Sequence, residues 1–197
     1  MSSLWPRILG KWQRTVFMLR YRRRFDRLGR HAYLAAPFRL DEPGGISLGD
    51  RTVLARGGWL YCHDAQARII IGEGCELGFN NHIAAVGELH IGARVLTANN
   101  VYIADNLHGY EDVSRPIIEQ PVRFKGPVSI GDGSWLGENV CIIGANVGRN
   151  CVIGANAVVT RDIPDYSVAV GAPARVIKQY DRVAGVWRDI RAATRKG

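Results

Sequence analysis

The sequence predicts an all-β chain wound as a parallel β-helix, on three observations. First, an aliphatic residue recurs every sixth position: Leu48, Leu54 and Leu60, then Ile71, Leu77 and Ile83, then Ile91, Thr97 and Ile103, then Ile130, Leu136 and Ile142, and finally Val147, Ile153 and Val159. Only Thr97 among these fifteen is not aliphatic. Second, the following residue is Gly or Ala in twelve of the fifteen, the exceptions being Tyr61, Ile143 and Thr160. Third, every break in the count falls after a third member, at 60 to 71, 83 to 91, 103 to 130 and 142 to 147. A period of six fits neither the helical repeat of 3.6 nor simple strand alternation. It suits a chain in which each hexapeptide makes one flat side and one turn.

Residues 1–44 read as a basic amphipathic helical extension. Residues 1–35 carry nine basic side chains (Arg7, Lys11, Arg14, Arg20, Arg22, Arg23, Arg24, Arg27, Arg30) and one acid, Asp26, so 9 − 1 = +8 equals the net charge of the whole chain. Trp5, Ile8, Leu9, Trp12, Val16, Phe17, Leu19 and Tyr21 interleave at near-helical spacing. Such a segment packs on the β-helix or a second subunit, or lies on an anionic membrane surface. A nucleic-acid role lacks any accompanying reader motif and is not expected.

Residues 45–178 form the β-helix domain, with about five stacked coils. Inward aliphatic residues stack into a continuous apolar column, and small followers let the backbone turn. Cys75 and Cys151 sit where small side chains recur and read as buried small hydrophobes. The short step into Val147 predicts a tightened corner. Because all four breaks share one corner, the other two edges stay uniform. The largest insertion, 105–127, is long for a compact domain, and such loops are usually functional or disordered.

Residues 179–197 are expected as a C-terminal helical tail. Pro164 and Pro173 leave the count of six, and Ile177, Tyr180, Val183, Val186, Trp187 and Ile190 are spaced as on a short amphipathic helix capping the open end. The start MSSLWPRILGKW lacks a long apolar stretch and a cleavage site, and the four cysteines show no close pairing, so a cytoplasmic home is expected, peripheral at the inner membrane surface if the basic helix binds lipid.

Three stretches, IADNLHGYED (103–112), VSIGDGSWLGENVCI (128–142) and VIGANAVVTRDIPDYSVAVGAPARVI (152–177), resemble the hexapeptide-repeat acyltransferases, most closely the bacterial polysaccharide and sugar O-acetyltransferases and the galactoside and maltose acetyltransferases. The resemblance covers roughly 45–178 and implies a left-handed β-helix. It also implies a homotrimer with active sites between subunits, acetyl-CoA as donor, a sugar or glycan hydroxyl as acceptor, and no metal. The family's catalytic His matches His108, and its Trp beside the pantetheine arm matches Trp135. Glu138 and Ala155 match the groove for coenzyme A, and Thr160, Arg161, Arg175 and Lys178 match contacts to its nucleotide end. The family's acceptor-binding Asn has its counterpart in Asn80 or Asn81, with His82 and Tyr110 as further candidate acceptor contacts.

The chemistry agrees with these roles. A thioester accepts attack by oxygen without a metal, provided both substrates are aligned, the hydroxyl proton is removed and the oxyanion is stabilised. An imidazole, with a reference pKa near ~6.5, can take that proton. Asp105, three residues before His108, is a candidate to orient it or to accept an acceptor hydroxyl. Within the enzyme class, an amine on a nucleotide-linked amino sugar, an antibiotic hydroxyl or an amino-acid hydroxyl are alternative acceptors. A carbonic-anhydrase-type metalloenzyme requires three converging histidines, and His63, His82, His90 and His108 lack the close pair. A non-catalytic scaffold has no use for the long loop, and failure to bind coenzyme A in calorimetry identifies it.

Overall fold

The computed structural model describes residues 5–190, with side chains from Trp12 onward. Three parallel sheets form the faces of a prism. The first face stacks Arg27–Leu28, Ile46–Leu48, Arg68–Ile71, Glu88–Ile91 and Val128–Ile130, then continues through single bridges at Val147 and Ile163. The second stacks Tyr33–Leu34, Val53–Leu54, Glu76–Leu77, Leu96–Thr97, Trp135–Leu136, Val152–Ile153 and Ser167–Val170. The third stacks Arg39–Asp41, Trp59–Cys62, His82–Ala85, Tyr102–Ala104, Cys141–Ile143 and Val158–Val159. Every interruption of the count lies between the third face and the next first face, so the decorated edge is a single one.

The count of coils is seven rather than about five. The first coil carries Leu28, Leu34 and Leu40, spaced by six but embedded in the arginine-rich segment that reads as helix. Among the described residues the helix spans Trp5–Tyr21, so the 1–44 extension contains one complete coil. The seventh coil carries Ile163 and Ala169, also six apart.

Leu48, Leu54, Leu60, Ile71, Leu77, Ile83, Ile91 and Ile103 are all buried in one column. Thr97 occupies the same column because a polar neighbour needs it. Its hydroxyl accepts from the side-chain amide of Asn81 and from the Gly78 amide at 3.0 Å, while Asn81 Oδ1 accepts from the Val101 amide at 2.8 Å. The small followers answer to backbone proximity: a Cβ at Gly49 would lie 2.4 Å from the Glu73 amide. At the corner between second and third faces, Asn80, Asn100, Asn139 and Asn156 all take left-handed φ of 55° to 60°. Asn tolerates that region better than other non-Gly residues. Their side chains bond along the column, Asn80 to Asn100 at 3.2 Å and Asn139 to Asn156 at 3.0 Å. Cys75 and Cys151 are buried, as small inward residues, with Sγ 3.0 Å from the Gly92 carbonyl and 3.1 Å from the Pro164 carbonyl.

The C-terminal segment forms an antiparallel ribbon where a helix is expected. Arg175–Asp181 pairs with Ser167–Val170, and Val186–Asp189 pairs with it in turn. The last parallel strand otherwise leaves a row of unpaired amides and carbonyls. Pairing there prevails over helical spacing, and Asp181 Oδ1 closes the turn by accepting from the Val183 and Ala184 amides, both at 2.9 Å. The part of the tail beyond Ile190 lies outside the described residues.

Truncating the column has a definite expected effect. Ile103→Ala removes a fully buried side chain from the coil that launches the long insertion. It lowers stability by about 2–5 kcal/mol in urea denaturation.

Candidate active site

The insertion after the fourth coil is an ordered arm, not an open loop. Asn106–His108 runs antiparallel to Val122–Phe124, with His108 opposite Val122. The tip contains a 3-10 turn at Ile117–Glu119. Gln120, nearly buried, braces it: Nε2 donates to the carbonyls of Asp112 at 2.9 Å and Arg115 at 3.1 Å. Asp112 in turn accepts from the Ser114 amide and hydroxyl at 3.0 and 2.6 Å. Those bonds hold its carboxyl below the ordinary carboxylate range. An ion pair between Arg123 and Glu111, 3.6 Å, links the two sides of the arm.

Asp105 anchors the arm's root. It is fully buried. Oδ1 accepts from the Val86 amide at 2.9 Å, Oδ2 from the Gly87 amide at 2.8 Å, and Asn106 Nδ2 donates to Oδ1 at 2.9 Å. Its carbonyl accepts from the Lys125 amide at 2.7 Å, so both ends of the arm converge on one residue. No hydrogen bond runs from Asp105 to His108. The expectation that this carboxylate orients the imidazole or receives an acceptor hydroxyl is corrected accordingly: its oxygens hold backbone and Asn106, and it positions the arm.

His108 is exposed on this pinned strand, and Tyr110 beyond it is 64% exposed.

The three candidate acceptor contacts on the third coil separate. Asn80 is an exposed member of the corner ladder. Asn81 is buried and bonded to Thr97 and the Val101 amide, so it carries structure in place of the substrate contact considered for it. His82 projects from the third face between aromatic neighbours. Its ring is parallel to Trp59 at 4.0 Å and lies 5.2 Å from Tyr102. Its Nε2 is buried without a hydrogen-bond partner among the described residues. Burial, with help from Arg39, lowers the His82 pKa. The unfolded chain takes up this proton near ~6.5, whereas folded His82 resists it until lower pH. Stability is therefore fully present above the unfolded pKa and declines as pH falls through the folded value. Thermal melting should drop on acidification below about pH 6.5, and His82→Phe should flatten that part of the profile.

Trp135 is 47% exposed on the second face. Successive partners in register are Leu96, Trp135, Val152, Val168 and Lys178, forming one outward row. At strand spacings of ~4.8 Å, Trp135 and Lys178 stand about 14 Å apart along it. Arg175 is exposed beside Val170 on the same edge. Glu138 and Ala155 lie at the neighbouring corner. The Glu138 carboxylate accepts from the Asn99 amide at 3.0 Å and Asn100 Nδ2 at 3.2 Å, and its carbonyl from the Asn156 amide at 2.8 Å. Glu138 thus staples that corner. Thr160 and Arg161 are exposed at the decorated corner, across the third face from Ala155.

The structure unites Trp135, Arg175 and Lys178 on one face and sets Thr160 and Arg161 on the corner that bears the arm. The supporting roles of Asn106 and Gln120 were not visible in the sequence: Asn106 Nδ2 also reaches the Ala84 carbonyl of the coil below at 3.2 Å, and Gln120 bonds back across the turn of the arm, contacts that no spacing signal marks. Burial raises all four thiols, Cys62 to about 11, so none is a ready thiolate nucleophile. Among the described residues, no group of three or more His, Cys, Asp or Glu side chains is placed to hold a metal ion.

Residues 127–161 match the family model described as hexapeptide repeat of succinyl-transferase. The maltose O-acetyltransferase of Clostridium difficile 630 superposes with a TM-score of 0.55 at 30% identity, over 82% of this chain and 73% of that one. The chain belongs to the hexapeptide-repeat acyltransferase family. Its seven coils are those of a left-handed β-helix. Two curated relatives share the acyltransferase core. The Mycobacterium tuberculosis protein named "Probable acetyltransferase Rv3034c" is 39% identical over 68% of this chain and 42% of its own length. The galactoside O-acetyltransferase of Escherichia coli K12 is 36% identical over 57% of this chain and 55% of its own. The chain thus spans about half the length of the curated relatives it matches.

Proposed function

We propose that this chain transfers an acetyl group from acetyl-CoA to a hydroxyl of a sugar or polysaccharide precursor. The observation that carries the reading is His108, exposed on an arm whose two ends are pinned by buried Asp105. Relatives named as galactoside and maltose O-acetyltransferases support a sugar hydroxyl as the acceptor.

In the proposed reaction His108 removes the acceptor hydroxyl proton as its oxygen attacks the thioester carbonyl. A new C–O bond forms, the C–S bond breaks, and the imidazolium returns the proton to the departing thiolate. Direct transfer needs no acyl-enzyme, in keeping with four thiols raised by burial. Trp135 lines the pantetheine arm, with Ala155 and the backbone at Glu138 beside it, and Arg161, Arg175 and Lys178 meet the phosphates of the nucleotide end with Thr160 alongside. Cationic side chains suit that anionic partner.

The proposal includes a homotrimer in the cytoplasm. A histidine exposed on one chain supports a site completed by a second subunit, with Asn80 or Tyr110 facing the acceptor. It also includes a peripheral membrane contact through residues 1–35. Thiol release from acetyl-CoA, followed across a panel of glycan acceptors, tests the activity. Acceptor-dependent release is expected, and release that no acceptor stimulates contradicts it.

A further inference from the structure

From Trp12 onward, the N-terminal helix is seated on the solenoid through Phe17 and Tyr21. Phe17 is buried among Tyr21, Phe25, Tyr33 and Phe38, with ring centroids 5.0 to 6.4 Å away. Among the described side chains of the helix, three large apolar ones are exposed: Trp12 65%, Val16 40% and Leu19 81%. They are spaced i, i+4 and i+7, which places them on one stripe of the helix. An exposed stripe of this kind on an otherwise folded chain marks an interaction surface.

Grooves flank the helix. One, of about 480 Å³, has Trp12, Val16 and Phe38 in its walls with Arg20 and Arg56 at hand. The other, of about 600 Å³, is lined by Met18 and Leu19 with Arg14, Arg30 and His31. Apolar walls with guanidinium groups beside them suit molecules that have an apolar tail and an anionic head. Beyond the helix, Arg22, Arg23, Arg24 and Arg27 are exposed, and none pairs with a carboxylate among the described residues. The one acid of the segment, Asp26, accepts from the Ser47 hydroxyl at 2.5 Å.

We infer that the stripe Trp12, Val16 and Leu19, with the arginines around it, docks the N-terminal end of the solenoid on an anionic lipid bilayer. This deepens the peripheral contact proposed above by naming its surface, and it does not depend on acetyl transfer. Charge decides the occupant. Residues 1–35 hold +8 while the remainder of the chain is neutral overall. A second copy meeting this face would bring the same arginines against their own kind. An anionic headgroup layer complements them, and apolar side chains insert beneath it. No described helix is long and apolar enough to cross a membrane, so the contact lies on the surface.

The test is co-sedimentation of the full chain with phosphatidylcholine vesicles, with and without phosphatidylglycerol, at physiological ionic strength. Binding is expected only with phosphatidylglycerol, and it should weaken as salt rises. Leu19→Glu should weaken it at least about tenfold. The triple variant Arg22→Gln, Arg23→Gln, Arg24→Gln should weaken it about a hundredfold. All three positions of the triple variant and Leu19 are exposed, so thermal melting should match the parent. Turnover of a soluble acceptor by both variants should equal that of the parent, which separates failure here from failure of the transfer reading. Absence of binding to the anionic vesicles overturns the inference. Undiminished binding of Leu19→Glu also overturns it, since the contact is then a plain polyanion contact. A changed oligomeric state of lipid-free Leu19→Glu assigns the face to a second copy and overturns it as well.

Discussion

His108→Ala is expected to lower kcat for acetyl transfer about 10²–10⁴-fold, the usual worth of a general base. The substitution falls on an exposed side chain of a strand held by backbone pairing to Val122. It creates no cavity, so melting temperature and oligomeric state should be unchanged. KM for acetyl-CoA should also hold, because in the proposed reaction the imidazole acts on the acceptor proton and the donor binds along the second face. Steady-state kinetics of purified variant and parent, at fixed acceptor, read this directly. Wild-type turnover in a folded His108→Ala protein removes His108 from the mechanism.

Asp105→Ala is expected to damage both stability and turnover. It leaves the Val86 and Gly87 amides and Asn106 Nδ2 without their acceptors. A buried donor left unpaired costs about 1–3 kcal/mol. With some relaxation toward water, the net loss is about 2–4 kcal/mol in chemical denaturation. Because both ends of the arm converge on this residue, the arm should loosen before the solenoid unfolds. Limited proteolysis within 105–127 should therefore accelerate. The fall in kcat should exceed any change in KM for acetyl-CoA, since the arm carries His108 while the row proposed to bind the donor, from Trp135 to Lys178, lies on the second face. Asp105→Asn keeps one acceptor oxygen and should fall between parent and Ala. Unchanged proteolysis of Asp105→Ala shows that the arm is anchored elsewhere.

The fold was legible because it repeats. Six-residue spacing exposed the column from Leu48 to Val159, and the shared position of its breaks identified the decorated edge. Leu28, Leu34 and Leu40 carry the same spacing, yet the surrounding arginines and aromatics give the segment a helical appearance, so the first coil was hidden by composition. The seventh was hidden by its brevity, with one bridge at Ile163 and one strand. At the C-terminus the spacing of Ile177, Tyr180 and Val183 is compatible with a helix, but sequence does not record the unpaired edge of Ser167–Val170 that draws Arg175–Asp181 into a strand. Local pattern lost there to tertiary hydrogen bonding.

The site divides in a similar way. His108 stood out because it lies at the root of the largest break, within a recognisable motif. For Asp105, three residues along a chain suggest a partner for His108, whereas its hydrogen-bond partners are the Val86 and Gly87 amides of the coil below. Asn80 and Asn81 are adjacent in sequence but differ by the direction each faces, one to an exposed ladder and one to Thr97 in the core. That difference follows from corner geometry, which no single hexapeptide encodes.

One measurement bears most directly on the central claim that the largest break in the count carries transfer of acetyl to a hydroxyl. A glycan acceptor incubated with acetyl-CoA and the enzyme is analysed by mass spectrometry before and after mild alkali. The account predicts an acetylated glycan whose acetyl group alkali removes, as an ester requires, and none with His108→Ala. An alkali-stable acetyl group, the mark of an amide, or equal product from His108→Ala, contradicts it.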